Sequence, residues 1–129
     1  MGCVTLRSSI PVLRVSDFAR SRRFWVEVME FTVAEEAGSP AQFGIFRRDH
    51  ARVFVNGLDG PDPEPSPGWR AYFHSDDIDG LAARLKSLGA QVDGPENRSY
   101  GMRELTLRDP DGNLLCFGQD ITQADENMT

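Results

Sequence analysis

One predicted strand places three side chains with binding or proton-transfer chemistry on the same face. The strand spans residues 69–74, and because side chains alternate along a strand, Arg70, Tyr72 and His74 share a face. A phenol ring stacks on flat ligands, while a guanidinium and an imidazole hydrogen-bond to polar groups. A single histidine without a visible partner set favours a hydrogen-bonding role over metal ligation. Trp69 has the opposite parity, which predicts packing against a helix.

A hairpin near the end of the chain carries a second set of such residues. Its turn is Asp-Pro-Asp-Gly-Asn at 109–113, in which proline fixes one φ and glycine or asparagine takes a positive φ. Tyr100 and Glu104 come before the turn, and Cys116 follows it. Glu104, like His74, could act as a general base, since acid–base chemistry needs only one tuned group.

The elements that position these residues form one unit that occurs twice. In each half a strand leads to an aspartate, Asp17 or Asp77, which is followed by a helix with one apolar face and then by short strands. Either Ser16 or Asp17 can cap the first helix. The spacing of about 60 residues between the halves indicates an internal repeat. The first half contains a predicted hairpin over residues 42–56 that carries Phe43, Phe54 and Asn56.

Two βαβββ units predict an α+β protein in which each unit bends a small sheet over its helix, so that the opposite faces enclose a cavity. We predict a single domain over residues 1–129. Its second unit includes a strand at residues 91–93. The full division is a first unit at about 8–58, a proline-rich acidic linker at 58–68, a second unit at about 68–120 and a polar tail at 121–129.

The bulk properties argue against several classes of partner. A chain of 129 residues with 40% hydrophobic residues suits one domain with its own core. The formal net charge of −6 argues against a nucleic acid and against an anionic membrane surface as partners. No apolar run is long enough to span a bilayer, no signal peptide is visible, and Cys3 and Cys116 do not resemble a disulfide framework. We therefore expect a cytoplasmic protein.

Three segments together resemble the vicinal oxygen chelate superfamily, which includes glyoxalase I, extradiol dioxygenases and bleomycin-resistance proteins. They are the strand-to-helix junctions at 13–17 and 75–79 and the turn segment at 108–113, and the likeness runs from about Ile10 to Gln119. The resemblance implies paired glyoxalase-like repeats that form curved mixed sheets around a cavity, as a dimer.

The enzymes of this superfamily hold a metal ion through residues at fixed offsets from these motifs. Here the corresponding positions are Ile10, Arg70 and Cys116. Isoleucine cannot ligate, arginine has no lone pair to donate, and one thiolate does not replace a carboxylate in an octahedral oxygen-and-nitrogen site. We therefore expect no cofactor and no metal held by the protein, so that any metal would arrive with a bound drug.

The central hairpin and the segment around Tyr100 resemble bleomycin-resistance proteins, which are dimers that sequester a glycopeptide antibiotic in grooves between subunits and catalyse nothing. The resemblance implies the same here: a non-catalytic homodimer that confers resistance by binding the drug. Aromatic rings would stack on the drug, each contributing about 0.5–1.5 kcal/mol beyond area burial. The candidate ligand-binding residues are Phe43, Phe54, Asn56, Arg70, Tyr72, His74, Tyr100, Glu104 and Cys116.

Other interpretations stay open from the sequence alone. The chain could be an enzyme of the glyoxalase or dioxygenase kind with an atypical, metal-free site, in which His74 or Glu104 is the base. It could also bind a different small molecule, because the superfamily is broad. For Phe43 and Phe54, packing in the core competes with a place in the ligand groove.

Overall fold

The computed structural model describes residues 2–122, which form two similar halves. Each half is one strand, a helical segment and three further strands. In chain order the elements are β1 (Val12–Arg14), α1 (Phe18–Arg23), a π-helix (Phe24–Val28), β2 (Thr32–Gly38), β3 (Ala41–Arg48), β4 (Ala51–Asn56), β5 (Trp69–His74), α2 (Ile78–Ser87), β6 (Asp93–Asn97), β7 (Met102–Arg108) and β8 (Leu114–Asp120).

Each half builds one mixed sheet of four strands. The first sheet has the order β1-β4-β3-β2 and the second β5-β8-β7-β6. In both sheets the first strand of the unit pairs in parallel with the last, and the remaining pairs are antiparallel. The predicted α+β architecture of two βαβββ units is therefore confirmed. Apart from Ile121 and Thr122, the predicted tail lies outside the described residues.

Both helical segments begin with an aspartate cap, and at the first of them the cap is Asp17 rather than Ser16. The side chain of Asp17 accepts a hydrogen bond from the Arg20 amide at 3.1 Å, and that of Asp77 accepts one from the Gly80 amide at 2.9 Å. These bonds satisfy amide groups that have no partner within the helix. The first helical segment then changes to π geometry at Phe24 and ends at Val28.

One apolar core joins the two halves on the helix side of both sheets. Trp25, from the π-helix, is fully buried, and its ring centroid lies 5.0 Å from that of Phe31 and 6.5 Å from that of Phe73. Phe73 in turn stacks on Phe117 of β8 at 4.8 Å. Because these rings come from both units, the halves share one core.

The turn of the last hairpin fastens the second unit to the first. Asp111 accepts hydrogen bonds at its Oδ1 from the Ser16 amide (3.1 Å), the Ser16 hydroxyl (2.6 Å) and Arg20 (3.1 Å). The side-chain amide of Asn113 donates to the Arg14 carbonyl at 3.1 Å. The linker also contacts this turn, since the buried Ser66 hydroxyl accepts a hydrogen bond from the Leu114 amide at 2.8 Å.

Two local predictions are wrong. The strand expected at residues 91–93 instead runs from Asp93 to Asn97, across Gly94 and Pro95. Proline lacks an amide donor, but this edge strand pairs only with β7 and tolerates the loss. Trp69 does not pack against a helix: its residue surface is 51% exposed. No helix in residues 2–122 has the length and apolar character needed to cross a membrane.

Candidate functional site

The face of the second sheet that points away from the helices, here called the open face, centres on a buried carboxylate. Glu104 lies on β7 and is fully buried. Its Oε2 accepts a hydrogen bond from the Tyr72 hydroxyl at 2.8 Å, and its Oε1 accepts one from the Tyr100 hydroxyl at 2.6 Å. Arg98 donates to the same Oε1 at 3.3 Å. Three of the candidate ligand-binding residues, Tyr72, Tyr100 and Glu104, therefore form one cluster.

A glycine on β8 makes room for this arrangement. Gly118 pairs with Glu104 across the sheet, and a Cβ atom at Gly118 would overlap the Tyr72 hydroxyl. Tyr72 can therefore lie across β8 and reach Glu104. The small residue at this position is a requirement of the site rather than of the backbone.

The hydrogen bonds decide the charge state of Glu104. Burial raises the pKa of this carboxyl, but the donors Tyr100, Tyr72 and Arg98 together outweigh burial and lower it. The pKa of Tyr72 is raised by burial and by its bond to the carboxylate, and that of Tyr100 is raised chiefly by its bond to the carboxylate. At neutral pH the cluster holds one carboxylate and two neutral phenols.

Cys116 lies beside this cluster, and its thiol has low reactivity. It is fully buried on β8 and pairs in parallel register with Tyr72. Burial and the negative charge of Glu104 raise the pKa of the thiol to about 12. Because the thiolate is the reactive form, this raised pKa makes Cys116 a weak nucleophile at neutral pH.

Two further rings extend the open face around Tyr72. The ring centroid of His74 lies 5.3 Å from that of Tyr72, and that of Trp69 lies 5.1 Å away on the other side. Strand alternation predicted the wrong face for Trp69, because the register of β5 shifts between Trp69 and Ala71. This shift leaves Arg70 as an extra, exposed residue. The sequence also missed Arg98, since the path of the loop before β7 is not encoded in a periodic pattern.

The open face of the first sheet, which again points away from the helices, carries the predicted ligand-binding residues of the first unit. The rings of Phe43 on β3 and Phe54 on β4 meet edge to face at 5.7 Å, and both are half-buried. Asn56 pairs with Phe43 across the strands, and its side-chain oxygen accepts a hydrogen bond from the Leu58 amide at 3.0 Å. Phe43 and Phe54 lie outside the buried core, whose rings on this sheet include Phe46.

The two open faces are equivalent by position and different in chemistry. Val12 pairs in parallel with Phe54 in the first sheet, where Tyr72 pairs with Cys116 in the second. One face is therefore apolar and aromatic, and the other is built around a charged hydrogen-bonded cluster. Within residues 2–122 no hydrogen bond or ring contact connects the two sets of nominated side chains.

The residues at the superfamily's metal positions do not form a ligand set. Arg70 is exposed, Cys116 is a protonated thiol, and Ile10 carries no donor atom. Among the residues described, no three His, Cys, Asp or Glu side chains come together as a group able to hold a metal ion. Glu104, the nearby carboxylate, already accepts hydrogen bonds at both oxygens.

Comparison with known proteins places this geometry in a family. Residues 11–118 match the glyoxalase-like domain family, and the chain therefore belongs to it. No curated protein matches the chain at a significant level.

Solved structures share the fold over almost the whole chain. TnmS3, an antibiotic-binding protein from Streptomyces sp. CB03234, is 26% identical with a TM-score of 0.71, covering 91% of this chain and 99% of its own. A bleomycin resistance determinant encoded on the transposon Tn5 is 24% identical with a TM-score of 0.73, covering 89% and 98%. A lactoylglutathione lyase from Agrobacterium tumefaciens is 20% identical with a TM-score of 0.68, covering 88% and 92%. At 24% and 20% identity, the similarities to the bleomycin resistance determinant and to the lyase support the fold alone.

Proposed function

We propose that this protein binds a bleomycin-family glycopeptide antibiotic and confers resistance by sequestering the drug unchanged. The observation that carries the proposal is the cluster around Glu104. Its carboxylate holds two tyrosine rings in place, so the rings are already ordered before a ligand binds. Preorganised groups lose less entropy on binding. Flat heteroaromatic rings of a drug could then stack on Tyr72, Tyr100 and Trp69.

The state of the polar groups favours binding over catalysis. Both oxygens of Glu104 accept hydrogen bonds and its pKa is lowered, so it is a weak base at neutral pH. The thiol of Cys116 stays protonated. The similarity to an antibiotic-binding protein at 26% identity also supports binding rather than catalysis.

The proposal includes a homodimer with the drug in grooves between subunits. It is supported by aromatic and aliphatic side chains left open to solvent on the two sheets. Val12, the cross-strand partner of Phe54, is 61% exposed, and the candidate ligand-binding residue Tyr100 is 57% exposed. Apolar surface of this kind is typical of faces that meet a partner or a ligand.

A calorimetric titration of metal-free protein with bleomycin, copper-loaded and metal-free, tests the proposal. We expect submicromolar affinity with about one drug per chain, which corresponds to more than about 8 kcal/mol of binding free energy. Mass spectrometry should recover the drug unchanged. Absence of binding heat would reject the drug assignment and lead to other small molecules, while a modified drug would favour the enzyme.

Matched variants locate the site. Tyr72→Ala should weaken binding about tenfold, because one stacked ring is lost. Tyr72→Phe keeps the ring and removes only its bond to Glu104, so its loss should be smaller. Ala19→Ser, on the exposed side of α1, is the control and should bind like the parent. Equal binding by Tyr72→Ala and the parent would remove Tyr72 from the site.

A further inference from the structure

Two arginines face each other across the central hairpin of the first sheet. Arg47 on β3 is the direct cross-strand partner of Arg52 on β4. Ile45 and Phe54 are the next pair on the same face, because side chains two residues apart share a face. Both arginines are exposed, so they extend the aromatic open face toward the hairpin turn.

The charge of this pair is not neutralised by the residues described. The guanidinium groups of Arg47 and Arg52 take part in none of the ion pairs or hydrogen bonds found in residues 2–122, whereas Arg20, Arg22, Arg84, Arg98 and Arg103 each pair with a carboxylate. Glu30 and Asp49 line the same surface pocket as Arg47, and Glu35 is the cross-strand partner of Ile45. Glu30 is held by Arg84, and neither Glu35 nor Asp49 forms an ion pair with either arginine.

Such a pair has a cost in the free protein. Like charges directly opposite each other on neighbouring strands destabilise the sheet. The chain carries a net charge of −6, yet among residues 2–122 no carboxylate forms an ion pair with either of these two side chains. A bound anion would reverse the sign of the interaction, because two guanidinium groups can hold a carboxylate, sulfonate or phosphate through charge-assisted hydrogen bonds.

We propose that Arg47 and Arg52 form an anion-binding subsite, and that the ligand of the first sheet is an aromatic compound with an anionic group. The ring would lie against Phe54 and Phe43, and the anion would lie one cross-strand pair further along, about 7 Å away at the rise of a strand. The inference rests on the proposed function only in that a small molecule occupies this face; it names a chemical feature that the cluster around Glu104 does not require.

The direct test compares 1-naphthoate with its neutral analogue 1-naphthamide. The binding of each is followed by NMR titration of the amide signals of Ile45, Phe54 and their neighbours. We expect the acid to bind at least about tenfold more tightly than the amide, as one or two charge-assisted hydrogen bonds would provide. The preference should shrink as salt is added, because exposed charges are screened.

Two substitutions and a control assign the preference to the pair. Arg47→Ala and Arg52→Ala should each remove most of the preference for the acid, whereas Arg23→Ala, an exposed arginine on α1, should leave it intact. Equal affinity for acid and amide, or a preference that survives both substitutions, would overturn the proposal. So would a change in oligomeric state on substitution without any effect on naphthoate, since the pair would then belong to an interface between copies.

A charge reversal separates the subsite from a merely solvated pair. Arg52→Glu puts opposite charges across the strands, so it should raise the unfolding temperature by about 1–4 °C while abolishing the preference for the acid. A stabilised protein that still prefers the acid would contradict the subsite. Bleomycin titrations of the same variants distinguish the two proposals. If naphthoate binds at the arginine pair and bleomycin does not bind, only the drug assignment is rejected. If bleomycin binds and naphthoate does not bind at the pair, only the anion-binding subsite is rejected.

Discussion

Glu104 organises the second sheet's open face through its two oxygens, one for each tyrosine. The sequence predicted the face of Tyr72 correctly, because strand alternation is local information that survives in the folded protein. It could not predict that Tyr72, Tyr100 and Glu104 share hydrogen bonds, since these depend on the space over Gly118 and on the course of the loop that carries Arg98. It also failed for Trp69, where a single extra residue in β5 reverses the parity.

The acid stability of the protein should depend on Glu104. Its pKa in the folded protein is lowered, so its contribution to stability is fully present above the ordinary carboxyl value of about 4.3 and is lost as the pH falls through the folded value. Urea unfolding of the parent and of Glu104→Gln should therefore show a stability difference at pH 7 that shrinks below about pH 4.5. A difference independent of pH would mean that the carboxylate charge contributes nothing.

The two cysteines should differ in reactivity. Cys3 is exposed, whereas Cys116 is buried with a pKa raised to about 12. Ellman's reagent at pH 8 should therefore modify one thiol per folded chain and two after unfolding in guanidinium chloride. The variant Cys3→Ser should show no fast reaction in the folded state. Rapid modification of both thiols in the parent would mean that the second sheet opens readily.

At the level of elements, the sequence predicts order and type well and predicts edges poorly. The two helices and the Asp-Pro-Asp-Gly-Asn turn rest on local signals, and each appears where expected. Strand β6 is shifted because its Gly-Pro pair reads as a breaker, although an edge strand accommodates it. The π geometry after Arg23 was also not predictable, because the apolar spacing of this segment fits an ordinary helix.

The turn between β7 and β8 should stabilise the packing of the two units. Asp111→Ala removes an acceptor shared by the Ser16 amide, the Ser16 hydroxyl and Arg20, and we expect a loss of about 1–2 kcal/mol in the free energy of unfolding. Urea unfolding measures this loss. Asp59→Ala, an exposed position in the linker, is the control and should change stability little. An equal effect in both variants would deny the turn this role.

For the whole molecule, the proposed homodimer predicts the mass in solution. We expect sedimentation velocity to give a dimer of 28.8 kDa, twice the chain mass of 14.4 kDa. Val12 is 61% exposed and adds little to the core, so Val12→Asp should shift the protein toward the monomer without unfolding it. Ala19→Asp adds the same charge on α1 and should stay dimeric. A parent that is monomeric at high concentration would reject the dimer.

The fastening of the last turn onto the first unit also sets an order of events during synthesis. Ser16 and its partner Asp111 are separated by 95 residues. At about 5–20 residues per second, the ribosome delivers Asp111 about 5–20 s after Ser16. Phe73 follows Trp25 by 48 residues, so for about 2–10 s Trp25 lacks this partner and the nascent first unit carries an uncovered aromatic surface. Chaperones that bind apolar surface would therefore meet the partly synthesised chain. A codon change that slows translation of the second half would prolong the time in which the first unit can aggregate.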